Sequence, residues 1–143
     1  MFKYSVKKKM NYSKKQMFDL ISDVSKYPEF LPWCVSTSIY NKSNDIFFSD
    51  MEIGFKFIKE TFTSKVTLIE SNKVCSEAVS GAFKKMNNIW EINYISEQEC
   101  EINLSIEFQF KSLILHNIIG KLFEKASKKM ITAFEDRAYD LYK

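Results

Sequence analysis

Apolar and polar residues alternate along most of this 143-residue chain, and that alternation predicts β-strands with one buried face. The first strand begins at Phe2, and the clearest runs from Cys100 to Phe110, where every second residue is apolar. The same period, broken by polar turns, predicts five further strands over 35–94, with Phe57 and Tyr94 on inner faces. Because the turns are short, we expect successive strands to pair antiparallel.

Two stretches change to a helical period. Ser13 and Gln16 fit a capping box, which predicts a short helix beginning near Lys14, and a further helical turn is expected over 23–26. From about Ser112 to Leu141, apolar residues recur every three or four positions and predict one amphipathic helix. At 1.5 Å per residue that helix would be roughly 45 Å long. The pattern indicates one α+β domain over residues 1–143, with seven antiparallel strands curled around the terminal helix.

A helix-breaking elbow, residues 27–34, holds both prolines of the chain. Proline disfavours helical geometry at the preceding residue, so Tyr27 and Leu31 are expected to leave the helical region. Bulky side chains would then project from a stiff segment. Such a segment suits the rim or plug of a larger apolar surface.

Composition bounds the class of protein. Apolar residues make up 45% of the chain, yet no apolar run approaches the ~18 residues of a membrane span, so we expect a soluble globular protein. The N-terminus lacks the features of a secretory signal, which favours no removable leader. Three widely spaced cysteines predict neither a disulfide framework nor a paired-cysteine zinc site. A reducing, cytoplasmic location is expected.

The net charge of +3 combines 21 basic residues with 18 acidic ones. All the basic residues are lysines except Arg137, and the carboxylates are spread among them. Nucleic-acid binders usually concentrate basic residues, commonly arginines, on one face. Sequence-specific DNA binding is therefore not expected.

Few residues carry obvious chemistry. His116 is the only histidine, which excludes a multi-histidine metal site and favours a structural role. Glu60 shares the inner parity of Phe62, where a buried carboxylate is costly unless it is paired or protonated. The aromatic interior remains, either as a packed core or as the wall of an apolar ligand site.

Several short segments, distributed along nearly the whole chain, resemble the motifs of one protein family. They are the elbow 27–34, Phe57–Thr63, the Gly81–Phe83 turn before Trp90, Glu107–Phe108, Ala133–Phe134 and Arg137–Ala138. With these segments the chain resembles the coenzyme-Q-binding START-like family of the polyketide cyclase (SRPBCC) superfamily, which includes the RatA ribosome association toxins and the mitochondrial coenzyme Q-binding proteins. The resemblance implies a helix-grip fold, a curved antiparallel sheet around a long C-terminal helix.

The resemblance further implies a non-catalytic protein that binds ubiquinone or a similar polyprenyl quinone and supports respiration. Phe30, Leu31 and Trp33 would form the entrance of its cavity. The full set of expected ligand contacts is Phe30, Leu31, Trp33, Phe55, Phe62, Trp90, Phe108, Leu122 and Met130. Segment 83–88 is more basic and polar than the corresponding segment of the family pattern. We expect this departure to affect the mouth of the cavity. Arg137 matches the family's terminal-helix arginine, and would either hold that helix to the rim or form an ordinary ion pair.

Two other functions stay open. A RatA-type toxin would bind the large ribosomal subunit and block subunit association, through the lysine-rich helix and the first strand. An aromatic-polyketide cyclase would use Glu60 or His116, on fold-level analogy alone. For the quinone carrier, the expected partners are the quinone itself and, transiently, the inner-membrane surface or respiratory complexes; the expected location is cytoplasmic and peripheral at that membrane.

Overall fold

The computed structural model describes residues 1–55 and 57–142 of the chain. The elements in chain order are β1 (Phe2–Met10), α1 (Lys14–Ser22), a 3₁₀ helix (Val24–Glu29), β2 (Cys34–Ser43), β3 (Ile46–Phe55), β4 (Ile58–Ile69), β5 (Lys73–Gly81), β6 (Phe83–Ser96), β7 (Glu99–Phe110), α2 (Leu113–Gly120) and α3 (Phe123–Tyr142). The capping box forms as predicted, since the Ser13 side chain accepts from the Gln16 amide and the Gln16 side chain accepts from the Ser13 amide.

The strands form one sheet of seven in the order β1-β7-β6-β5-β4-β3-β2, and all neighbours are antiparallel. Every second residue of β7 from Cys100 to Phe110 is buried, as its alternation requires. The predicted α+β class, with a curved antiparallel sheet against a C-terminal helix, is confirmed.

The predicted single terminal helix is wrong, because the chain turns at 121–122 between α2 and α3. The Phe2 ring lies where a Cβ of residue 120 would project, so any side chain at Gly120 would require the Phe2 ring to move. The Leu122 amide then donates to the Ile119 carbonyl at 2.9 Å, which tightens the chain into a turn.

The elbow is more helical than its prolines predict, because Tyr27 and Pro28 both lie inside the 3₁₀ helix. Its hydrogen bonds, from Lys26 N–H to Asp23 and from Phe30 N–H to Tyr27, need no donor from Pro28. The helix therefore passes through the first proline and ends at Glu29.

Two aromatic residues predicted on inner faces are exposed. Phe57 is 90% exposed because β3 ends at Phe55 and Phe57 falls in the β3–β4 turn. Tyr94 is 64% exposed, and it lies next to a register shift where β6 leaves the core. In both cases the alternation of apolar and polar residues continues in the sequence beyond the buried part of the strand.

Arg137 attaches α3 to the elbow. Its Nη2 donates to Glu29 Oε1 at 2.8 Å, and its guanidinium carbon lies 5.3 Å from the centre of the Phe30 ring. Both sequence interpretations therefore hold, since the residue forms an ion pair and that pair joins the helix to the elbow. The hydrogen bond from Arg137 lowers the pKa of the Glu29 carboxyl below its ordinary value.

We expect Glu29→Gln to lower the thermal midpoint at pH 7, with the difference from wild type vanishing as the pH falls below about 4. The folded-state pKa of Glu29 is lowered, so its contribution is present above the unfolded pKa and is lost as the pH falls through the folded pKa. Thermal unfolding of both proteins between pH 7 and pH 3 measures this, with Glu77→Gln, an exposed carboxylate of β5, as control. A difference that stays constant across this range would contradict the assignment.

Candidate functional site

A cavity of about 210 Å³ lies between the inner face of the sheet and the α2–α3 segment. Eight of the nine predicted ligand contacts line it: Leu31, Trp33, Phe55, Phe62, Trp90, Phe108, Leu122 and Met130. The aromatic interior is therefore not fully packed. It leaves an apolar space at the place where the resemblance predicts one.

The walls follow from the two periods of the sequence. Inward residues of each strand are two positions apart, as with Met86, Asn88 and Trp90 of β6. On α3 they are four positions apart, where Met130 and Phe134 face the sheet. One strand alternation and one helical stripe thus face each other across the cavity.

Phe30 is the predicted contact that does not line the cavity. Its ring packs edge-on against Phe134 at 5.0 Å and Tyr27 at 5.9 Å, beneath the guanidinium of Arg137. The chain turns at Phe30, where the 3₁₀ helix ends, and the next residue, Leu31, faces inward with 3% exposure. The prediction that Phe30 forms the entrance is wrong for this reason.

Polar groups occupy several inward positions, and of these the sequence indicated Glu60 alone. Ser64, Ser76, Asn88 and Ser127 line the cavity, as does the half-buried Glu60. Two buried polar atoms of the lining, Trp33 Nε1 and Asn88 Oδ1, have no hydrogen-bond partner among the residues that the structure describes. Strand parity could have indicated Ser64 and Asn88, which share the faces of Phe62 and Trp90, whereas Ser127 lies beside the predicted apolar stripe.

One end of the cavity is formed by the β3–β4 turn, the β5–β6 turn and α2; we call it the hairpin end. Phe55, Ile58, Phe83, Leu115 and Ile119 line the cavity there. The outer surface of the same segments is also apolar, and its exposed residues are Phe57, Leu113, Ile114 and Ile118. Helix α2 is therefore apolar both on the side that faces the cavity and on the side that faces water, which is unusual for a surface helix.

A second concave surface, the basic groove, follows the outer side of α3 beside the elbow. Four lysines lie along it, Lys121, Lys125, Lys128 and Lys129. Glu29, Asp136 and Asp140 lie in the same groove, so its charge is mixed although lysine predominates.

Of the two residues considered for cyclase chemistry, Glu60 lines the cavity and His116 does not. His116 lies outside the cavity, where its ring stacks on Phe2 at 4.2 Å and its Nδ1 accepts the Phe110 N–H. Burial raises the pKa of the Cys34 and Cys100 thiols to about 11, so both are protonated at neutral pH. All three cysteines are free thiols.

Neither a metal cluster nor a membrane span is found in the described part of the chain. Among residues 1–55 and 57–142, no three His, Cys, Asp or Glu side chains form a group that could hold a metal ion. Within the same ranges, every helix is too short or too polar to cross a bilayer.

Comparison with known proteins relates this architecture to a large group. A family model described as polyketide cyclase / dehydrase and lipid transport matches residues 10–135. The ribosome association toxin RatA of Rickettsia prowazekii is 34% identical, with full coverage of both chains. The mitochondrial coenzyme Q-binding protein COQ10 homolog B of Xenopus laevis is 27% identical, covering 97% of this chain and 59% of its own. Among solved structures, the Zhui aromatase/cyclase of Streptomyces has a TM-score of 0.84 at 11% identity, covering 96% of this chain and 93% of its own.

Proposed function

Because this chain belongs to the polyketide cyclase / dehydrase and lipid transport family, we propose that it is a non-catalytic carrier of ubiquinone or a similar polyprenyl quinone. The main support for this proposal is the apolar cavity of about 210 Å³ between the sheet and α3. The coenzyme Q-binding relative supports the ligand class. Delivery of quinone to the respiratory chain is the corresponding role.

The cavity size determines which part of the quinone it holds. An apolar cavity of about 150 Å³ is large enough to bind benzene, so about 210 Å³ accommodates a single substituted ring. A polyprenyl tail is much larger and extends out of the cavity. Burial of apolar surface, at roughly 25 cal/mol per Å², supplies the affinity for the ring and the first part of the tail.

The hairpin end is the proposed route for the tail. Phe57, Leu113 and Ile114 are exposed there, and the exposed lysines Lys111 and Lys121 flank α2. Apolar side chains next to lysines fit the boundary of an anionic lipid surface. The proposed setting is therefore the cytoplasm, with transient docking at the inner membrane or its respiratory complexes.

We expect decylubiquinone to quench the fluorescence of Trp33 in a saturable titration. Trp33 lines the cavity immediately before β2, and its Nε1 is buried without a partner in the described part of the chain. The measurement uses a Trp90→Phe background, in which Trp33 is the only indole of the chain. A reciprocal Trp33→Phe protein, which retains the cavity-lining Trp90, is the matched control. Absence of any response from both proteins would reject the carrier.

The second candidate function is binding to the large ribosomal subunit, as a toxin that blocks subunit association. The RatA relative, 34% identical over the whole chain, and the basic groove favour it. Binding through lysines should weaken steeply as salt rises. Co-sedimentation with the large subunit at low and at moderate salt tests this function.

Charge reversal assigns such binding to a surface. Lys125→Glu combined with Lys129→Glu in the basic groove is expected to remove co-sedimentation. Lys42→Glu combined with Lys84→Glu, at exposed positions of the sheet, changes the net charge equally and is expected to preserve it. Failure of the wild type to co-sediment at either salt concentration rejects this function.

A further inference from the structure

Apart from Glu60, a row of polar residues crosses the mostly apolar wall of the cavity. Ser64 lies on β4, Ser76 on β5 and Asn88 on β6, and these three strands are neighbours. Ser76 is directly opposite Asn88 in the β5–β6 register, where side chains on one face are close enough to share a ligand group. The buried Ser127 lines the same cavity from α3.

Asn88 has an unmet hydrogen-bonding requirement. Its Oδ1 is buried and makes no hydrogen bond to any residue within the described ranges. A buried polar atom without a partner is unfavourable, and proteins rarely retain one unless water or a ligand satisfies it. Because Oδ1 accepts a hydrogen bond, a ligand hydroxyl can satisfy it, whereas a ligand carbonyl would instead accept from the Nδ2–H of the same amide.

The position of Asn88 also sets a direction. It lies five residues along β6 from Phe83 at the hairpin end, which is about 17 Å at the rise of an extended strand. The polar segment 83–88 was expected to lie at the cavity mouth. In the structure Lys84 and Lys85 are exposed outside the cavity, whereas Asn88 lies deep in the cavity wall.

We propose that Asn88, with the neighbouring Ser76 and the facing Ser127, forms a subsite for an oxygen substituent on the ligand ring. The ring enters first and places a hydroxyl against Oδ1 of Asn88 or a carbonyl against its Nδ2–H, and the apolar tail points toward the hairpin end. The subsite makes the cavity selective for oxygenated rings over hydrocarbons of the same shape. This inference rests on the proposed carriage of an apolar ligand and specifies its chemistry.

The test compares two probes that share a tail, decylubiquinone and decylbenzene. Wild type is expected to bind decylubiquinone about tenfold more tightly, and Asn88→Leu to lose that preference without binding decylbenzene more weakly. Asn103→Leu is the matched control, because Asn103 Oδ1 is also buried without a partner among the described residues. Asn103 alternates with the core residues Ile102 and Leu104, however, so it lies on the outer face of the sheet. Its replacement should leave the preference unchanged.

A spectroscopic readout holds even if Asn88→Leu fails to fold. The carbonyl stretching band of decylubiquinone bound to wild type should shift to lower wavenumber, as a hydrogen-bonded carbonyl does. Equal affinity of wild type for both probes, or an unshifted band, would overturn the subsite and leave lipid carriage intact. Binding of neither probe would overturn both.

Discussion

Phe134→Ala is expected to lower the free energy of unfolding by about 3–5 kcal/mol, the range for a buried phenylalanine that leaves a cavity. Phe134 is fully buried at the point where α3 meets the elbow and the sheet. Its ring lies 5.3 Å from Tyr27, 5.0 Å from Phe30 and 4.8 Å from Trp90, so one side chain joins three elements. The adjacent ligand cavity leaves little for the neighbours to collapse onto, which favours the upper part of the range.

Chemical denaturation of the purified proteins measures this loss. Phe57→Ala is the matched control, because the same truncation at a 90% exposed ring should change stability by no more than about 0.5 kcal/mol. A loss below about 1 kcal/mol for Phe134→Ala would show that α3 is not held to the sheet through this cluster.

Ser127→Phe is expected to weaken decylubiquinone binding by about 100-fold or more. Ser127 is buried on α3 and faces the cavity, so an added benzyl ring would occupy the space of the ligand ring. An aromatic ring that buries about 150 Å² at about 25 cal/mol per Å² gains roughly 4 kcal/mol. Exclusion of that ring accounts for the expected loss of affinity.

The matched control is Thr132→Phe, on the exposed side of the same helix, which should bind the quinone as wild type does. Filling an existing cavity should cost little stability, so the thermal midpoint of Ser127→Phe is measured alongside its affinity. Unchanged affinity in a folded Ser127→Phe protein would place the quinone outside this cavity.

The strands could be predicted because a half-covered sheet imposes a period of two on the sequence. That period remains uninterrupted along β7, where all six inward residues from Cys100 to Phe110 are buried. The period does not show where the helices stop covering the sheet. Phe57 and Tyr94 continue the pattern beyond that point and are exposed. The break between α2 and α3 was equally hidden, because the helical period runs through it, and the close approach of Phe2 to Gly120 joins residues far apart in the sequence.

The apolar walls of the site could be predicted for the same reason, since inward parity and apolar character coincide at Phe62, Trp90 and Phe108. Phe30 and Leu31 are adjacent apolar residues in an irregular segment, and the turn that ends the 3₁₀ helix decides which one faces inward. Asn88 shares the inward parity of Trp90, but its polar side chain does not mark it as buried, and Ser127 lies beside the apolar stripe of α3. The packing of helix against sheet brings the two residues to one cavity.

Solvent extraction of the protein purified from respiring cells, followed by mass spectrometry, tests the central claim most directly. The account predicts that a polyprenyl quinone is extracted from wild type and from Thr132→Phe, and is missing from a folded Ser127→Phe protein. Repeated absence of quinone from wild type, with no uptake on reconstitution, would contradict it, as would equal amounts in all three proteins.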